Sequence, residues 1–444
     1  MSHQAEIKTV KLSDIIFDEV IYPRGEHDPA LVQRYAEVID EIEAAQKFIA
    51  ISSDMKLLDG KHRWLAYQKA YGEKEREIRT LVYDVTAPHE QLKLAAKLNS
   101  DHGWQLTDED KEHTAKGLYA YGMSYDEIAI ALSVGKTKVS SWLSRTVKEN
   151  KERRDKKIID MWQACYTQEE IAEVTSEPVG TVKELLGNGE RSLVGKVLEN
   201  QTNQIAANHL TDFDPPIYNI WKQQEKSNGL NHFGNSEVRW LDNLLYLYTN
   251  PLDIVIDPFA GSGSTIDLCK KRFRRYWVGD RLPVPERANQ IRQHDITESL
   301  PDLKGRWGNV KLVYLDPPYW KQAEGQYSND ATDLANMSLE DFNRTLAGLI
   351  TDFSKKLTDA YIALIIQPTQ WKAPERQYTD HVGDMLRLVK LPVDMRYSVP
   401  YESQQCNAQM VDWAKANKKT LVLTREIVVW KTGPYSPEVA RGLK

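Results

Sequence analysis

Cysteine is scarce, with three in 444 residues, at Cys165, Cys269 and Cys406. They are far apart and odd in number, and no C-x-x-C pair occurs. Neither a disulfide framework nor a zinc site is expected, and the expected setting is a reducing cytoplasm. No apolar run approaches ~18 residues, and the opening MSHQAEIKTV lacks a signal-peptide core, so no membrane partner is expected. A global excess of positive charge is also missing. Basic residues number 58 against 64 acidic ones, a formal charge of −6, so any nucleic-acid surface must be local. What remains is ordinary globular material, 41% hydrophobic and 27% charged. At ~150 residues per domain the length suits about three domains. Tryptophan is frequent, twelve in all, which serves either core packing or stacking on bases.

Residues 1–100 read as a small α+β domain. IKTVKLSDI, FIAISSDMKLLDG and IRTLVYDV have the character of strands. PALVQRYAEVIDEIEAA and KHRWLAYQKAYG have that of helices. Residues 101–200 carry no strand signal and contain an internal repeat. Glu127, Ile128, Ala129, Val139 and Leu143 correspond to Glu170, Ile171, Ala172, Val182 and Leu186, an offset of 43. Helix, turn and second helix, with a small residue at the crossing, form a helix-turn-helix pattern, here twice. Residues 136–157 hold nine basic and three acidic side chains. Such a run is often only a solvated face. After a helix-turn-helix, Lys136, Lys138 and Arg145 become candidates for phosphate contact. Residues 201–215 read as a linker. From 216 to 444 apolar strands alternate with helices, as in an α/β, Rossmann-like, doubly wound sheet.

Two motifs in that last region carry chemistry. Asp257-Pro258-Phe259-Ala260-Gly261-Ser262-Gly263-Ser264 follows the strand LDIVI and opens a helix. Its glycines permit a tight turn and close approach of backbone to a ligand, and a helix N-terminus suits an anion. It has neither the G-x-G-x-x-G spacing of dinucleotide folds nor the Gly-Lys-Ser of P-loops. About twenty residues on, Asp280 ends the next strand, where an acid can accept both hydroxyls of a ribose. Asp295 stands where a third strand would end and is a candidate acceptor for an adenine amino group. The second motif, Asp316-Pro317-Pro318-Tyr319-Trp320, ends the strand NVKLVYL. The prolines fix the backbone and leave carbonyls free. Asp316 and the Pro317 carbonyl suit the two N–H protons of an exocyclic amino group, and Tyr319 suits a flat base.

Together these motifs resemble the S-adenosylmethionine-dependent DNA methyltransferases that act on N6 of adenine or N4 of cytosine, over about residues 215–444. The resemblance implies a Rossmann-like methyltransferase domain at 216–444 with S-adenosylmethionine as cofactor. It implies a cofactor site of Asp257 to Gly263 with Asp280 and Asp295, and Asp316 to Tyr319 as the catalytic turn. By the same resemblance Trp221 and Phe233 line the cofactor site. Trp320 would contact DNA beside a flipped base. Asp-Pro-Pro-Tyr is more usual for adenine and Ser-Pro-Pro-Tyr for cytosine, so adenine is expected. Tyr22-Pro23-Arg24 and Leu58-Asp59-Gly60-Lys61-His62-Arg63-Trp64 resemble the ParB/sulfiredoxin-like domain, which precedes helix-turn-helix elements in partition proteins. It implies that Arg24, His62 and Arg63 meet phosphate or DNA. The expected partner is double-stranded DNA; a homodimer and a restriction partner are allowed but not required. The competing readings are an N4-cytosine enzyme, methylation of RNA, and a partition-like DNA-binding regulator whose methylase domain is inactive.

Overall fold

The computed structural model describes residues 4–72, 76–101, 106–187, 194, 213–222, 237–370, 378–400 and 408–433. The chain divides into two compact units, Met1–Arg153 and Arg154–Lys444.

The first unit opens with strand β1 (Ala5–Lys11), helices α1 (Pro29–Glu37) and α2 (Ile39–Ala44), and strands β2 (Ile49–Ser52) and β3 (Leu57–Asp59). Helix α3 (Lys61–Tyr71), strand β4 (Glu77–Tyr83) and helix α4 (Pro88–Asp101) follow. The strands form one sheet, β1-β4-β2-β3, in which β2 and β4 run parallel. Two expectations need correction. The helix read over 29–45 breaks at Val38, whose φ of −123° and ψ of 30° are not helical; the break lets Val32 and Ile39 both reach the core. The strand read over 48–60 is a hairpin, turned by Met55 at φ +68°.

Helices α5 (Asp108–Ala120), α6 (Tyr125–Ala131), α7 (Lys136–Gln163), α8 (Gln168–Thr175) and α9 (Val179–Leu186) come next. The division between units falls within α7. The repeat has a physical basis. Glu127 and Glu170 are the reciprocal partners of Ser124 and Thr167 in capping boxes that start α6 and α8. Ile128, Ala129, Val139 and Leu143 are buried in one cluster, and Ile171, Ala172, Val182 and Leu186 in another.

The second unit contains helix α10 (Val238–Tyr248), strand β5 (Ile254–Asp257), helix α11 (Ser264–Lys271), strands β6 (Arg275–Asp280), β7 (Arg292–Gln293) and β8 (Val310–Leu315) and helix α12 (Leu339–Lys356). Strand β9 (Tyr361–Ile366), helix α13 (His381–Leu388), strand β10 (Val393–Pro400), helix α14 (Ala408–Ala416) and strand β11 (Thr424–Lys431) complete it. The order among the described strands is β10-β11-β9-β8-β5-β6-β7. β7, β6, β5, β8 and β9 are parallel. β11 is antiparallel to β9, and β10 to β11. Successive residues alternate between two cores. Ile254, Ile256, Val313 and Leu315 face Phe342, Leu346 and Ile350 of α12, while Val255 and Leu312 face Leu241 and Leu244 of α10 and Ile266 of α11. The strand order reverses direction between β5 and β8, and crevices of doubly wound sheets open at such a point. β10 is not evident in the sequence. Its first four residues are exposed, so no apolar run marks it.

Candidate active site

A cavity of about 430 Å³ opens at the carboxyl ends of β5, β6 and β8. Asp257, the last residue of β5, is buried at its floor. One carboxylate oxygen accepts the Phe259 N–H at 3.0 Å, and the other accepts the Thr265 hydroxyl at 2.5 Å. Burial raises its pKa to about 7, and the charges of Asp316 and Asp280 push in the same direction. Asp280 ends β6 and is tied to the glycine loop, because Gly261 N–H donates to it at 3.1 Å and Leu282 N–H at 2.9 Å. These contacts fix the direction of its carboxylate. Gly261 and Gly263 take φ of +51° and +78°, a region that favours glycine.

Asp257, Pro258, Phe259, Ala260, Gly261, Asp280 and Asp295 all line the cavity. Ser262 and Gly263 are not among its lining residues; they shape the turn. Asp295 accepts the Thr297 N–H at 2.9 Å and hydroxyl at 2.6 Å, and pairs with Arg281 at 3.3 Å. Leu282, Pro283, Val284 and Ile296 add an apolar wall that the motifs did not announce. The RLPVP run after Asp280 was the available signal.

The second motif opens on the same cavity. Asp316 and Pro318 line it, and Pro317 is buried behind them. The Tyr319 hydroxyl donates to Asp316 at 2.9 Å. It therefore occupies one acceptor position of the carboxylate. Arg425 of β11 lies over the Tyr319 ring, 4.9 Å from its centroid. This residue, far away in sequence, carried no motif.

Several expected site residues fall elsewhere. Trp221 is stacked on Tyr397 at 4.0 Å, its indole N–H donates to the Tyr218 carbonyl, and it is absent from the cavity wall. Phe233 lies outside the described residues. Trp320 is buried at 6% exposure, with its indole N–H given to the Met337 carbonyl at 2.9 Å, so it is a core residue and not a surface for DNA. In the first unit His62 is buried, and its Nε2 accepts the Asp28 N–H at 2.9 Å. Burial, with Arg24 and His27 nearby, lowers its pKa to about 4, so near neutral pH it is no cation for phosphate. Arg63 donates to the Lys47 and Phe48 carbonyls and to Asp59, which makes it a structural tie. Arg24 is half-buried beside them. Lys136, Lys138 and Arg145 are exposed and pair with Asp126, Asp108 and Glu149. Such surface pairs are weak and give way readily.

The two helix pairs differ in chemistry. The second carries Glu169, Glu170, Glu173, Glu177 and Glu184 against Lys183, a surface that repels phosphate. Arginines tie the segment before it to the sheet. Arg275 donates to the Trp162 carbonyl and Arg292 to that of Ala164, while Arg306 reaches Cys165 and Tyr166 at 2.6 and 3.2 Å. Arg275 and Arg292 are the first residues of β6 and β7, and Cys165 packs with Ile254, the first residue of β5, so the segment lies at the amino ends of these strands. Arg306→Met is expected to destabilise the second unit by about 1.5–3 kcal/mol, the range for bonds from a charged donor. A lowered urea midpoint with unchanged slope checks this.

Behind the Asp-Pro-Pro-Tyr turn, the buried His381 meets the Thr369 hydroxyl at 2.9 Å, and that hydroxyl donates to the Trp320 carbonyl at 3.1 Å. Burial lowers the His381 pKa to about 4. Between pH 6.5 and 4 the unfolded chain binds a proton here that the folded chain does not. Stability therefore falls as pH drops through that window, by up to about 3 kcal/mol from this residue. His381→Asn is expected to flatten that part of the stability profile, measured by denaturant titration at each pH.

Residues 92–281 match the family model N6_N4_Mtase, described as DNA methylase. The chain is similar to the N6/N4 DNA methylases. The match takes in the glycine loop and Asp280 and ends before Asp316. It supports DNA amino-methyltransferase activity, in a family that normally uses S-adenosylmethionine. Comparison with curated proteins found no match. Among solved structures, the chain is similar to a Pnob8-like ParB-N domain at 14% identity, covering 32% of this chain and 69% of that one, with a TM-score of 0.23. It is also similar to the C-terminally truncated chromosome-partitioning protein ParB from Caulobacter crescentus complexed to the centromeric parS site, at 13% identity. That likeness covers 44% of this chain and 92% of that one, with a TM-score of 0.22. Among the described residues no helix is long and apolar enough to cross a membrane.

Proposed function

We propose that this chain methylates the exocyclic N6 of adenine in DNA, with S-adenosylmethionine as cofactor. One observation carries the reading: the glycine loop after β5 and Asp316 and Pro318 of the turn after β8 line a single cavity, and β5 and β8 are adjacent parallel strands. The residues fit the cofactor's chemistry. An acidic floor of Asp257, Asp280 and Asp316 beside the apolar Phe259, Leu282, Val284 and Ile296 suits a cationic nucleoside. Asp280 would hold the ribose hydroxyls, and the apolar wall the adenine ring. When bound, the cofactor supplies an electrophilic methyl group on a sulfonium. Asp316 and the Pro317 carbonyl accept the two N–H protons of the target amino group, which localises the nitrogen lone pair. Tyr319 stacks on the extruded base. The proton lost on methylation is accepted at Asp316. Asp316 heading the motif, instead of serine, favours adenine over cytosine.

In this reading residues 1–100 form a ParB-like domain, 101–200 a helical region, 201–215 a linker and 216–444 the methyltransferase domain. DNA is gripped by the first helix pair through Lys136, Lys138 and Arg145, since those cations are exposed and the second pair is acidic. The test is transfer of labelled methyl from S-adenosylmethionine to unmethylated duplex DNA, followed by nucleoside analysis. Label in N6-methyladenine is expected. Label in N4-methylcytosine would keep the mechanism and change the base. No transfer to DNA would overturn the reading.

A further inference from the structure

Residues 321–336, between the catalytic turn and α12, form a loop whose ends meet. Lys321 N–H donates to the Ala335 carbonyl at 3.0 Å. Within it, the Asn336 side-chain amide donates to the Ser328 and Asp330 carbonyls at 2.9 and 2.7 Å, and the Ser328 hydroxyl donates to Asp333 at 2.9 Å. A loop packed by its own side chains in this way is an Ω-loop, a form often tied to function. This one walls the cavity with Gln326, Tyr327, Thr332, Asp333 and Leu334. Arg281 fastens it to the opposite side, reaching Asp330 on the loop at 2.6 Å and Asp295 at 3.3 Å.

Tyr327 is the aromatic side chain that this loop brings to the cavity. Burial raises its pKa, and the nearby charges of Asp316, Asp280 and Asp333 raise it further, so the hydroxyl is neutral. Tyr327 lines the same cavity as Asp280, on the cofactor side of the proposed site, and Asp316, on its target side. The carboxylates give that region a negative potential, and an aromatic face in a desolvated site adds attraction for a cation. The cofactor reacts as a sulfonium cation and leaves as a neutral thioether, so this point of the cavity is where the two differ.

We propose that Tyr327 is a specificity residue: its ring contacts the sulfonium and makes the site prefer S-adenosylmethionine over the neutral product S-adenosylhomocysteine. The proposal rests on the methyltransferase reading above. Titration calorimetry of both ligands against the full-length protein tests it. Tyr327→Phe keeps the ring and is expected to keep the wild-type ratio of affinities. Tyr327→Leu is expected to lose roughly tenfold in affinity for the cation, a loss of cation–π size, with little change for the thioether. Asp330→Asn, which releases the loop from Arg281 without touching the ring, is expected to lower the same ratio and serves if the leucine variant does not fold. Equal losses for both ligands, or an unchanged ratio in Tyr327→Leu and Asp330→Asn, would overturn the proposal. Failure of the wild type to bind either ligand would instead sink the methyltransferase reading, and this proposal with it.

Discussion

Asp316→Asn is expected to reduce methyl transfer by roughly 10³-fold or more while cofactor binding and folding survive. The magnitude follows from what the carboxylate does. In the proposed mechanism it orients the target amino group, accepts one of its protons and carries negative charge to where positive charge develops. Loss of a single well-placed electrostatic partner elsewhere costs about 10²–10³ in kcat, and the asparagine also removes the proton acceptor. The side chain is half-buried, and its partner Tyr319 also packs beneath Arg425, so the turn keeps its shape. Asparagine removes one negative charge from the cavity but also one that raises the Asp257 pKa; the two effects oppose each other, so cofactor binding should survive. Single-turnover transfer and equilibrium cofactor binding, measured on the same preparation, separate the two effects. Transfer within tenfold of wild type would show that Asp316 is not the acceptor. Lost cofactor binding would place it in the wrong subsite.

The parts of this site that were legible in the sequence are those that local chemistry dictates. A buried parallel strand must be apolar, and the turn at its carboxyl end must be punctuated. Ile254–Asp257 with its glycines, Arg275–Asp280, and Val310–Leu315 with its prolines each satisfy both conditions. The helix pairs were legible for the same reason, since capping glutamates and crossing alanines have fixed spacings. What could not be read was side-chain direction. Trp320 follows the Asp-Pro-Pro-Tyr turn yet points into the core, because residues 321–336 fold back and the Met337 carbonyl captures its indole. His62 and Arg63 look like an anion site but spend their hydrogen bonds on neighbouring backbone. Arg425 and Tyr327 reach the site only through tertiary structure. The acidity of the second helix pair was visible from the start, but sequence symmetry with the basic pair obscured its meaning.

Asp257→Asn is expected to move stability and binding in opposite directions. The carboxyl is buried at the cavity floor, and its pKa rises to about 7 from an ordinary 3.8. The folded chain therefore holds a proton between pH 4 and 7 that the unfolded chain releases, and stability falls as pH rises through that window. By pH 8 the penalty reaches roughly 4 kcal/mol, from a three-unit shift at 1.36 kcal/mol per unit. Asparagine is neutral and close in shape; it keeps an oxygen for the Phe259 N–H, and its amide donates to the Thr265 hydroxyl, which then accepts instead of donating. The ligand-free variant should therefore unfold at higher denaturant than wild type at pH 8, by an amount that shrinks toward pH 4. The same change removes a negative charge facing a cationic ligand, and cofactor affinity should fall at least about tenfold, a loss of one charge-assisted contact. A charge that costs stability when the site is empty is retained where function needs it, a common trade at binding sites. Urea unfolding at pH 5 and 8, with and without cofactor, tests both halves. A variant less stable than wild type at pH 8 would show that Asp257 is held as a carboxylate by its neighbours. Unchanged cofactor affinity would show that its charge faces no ligand.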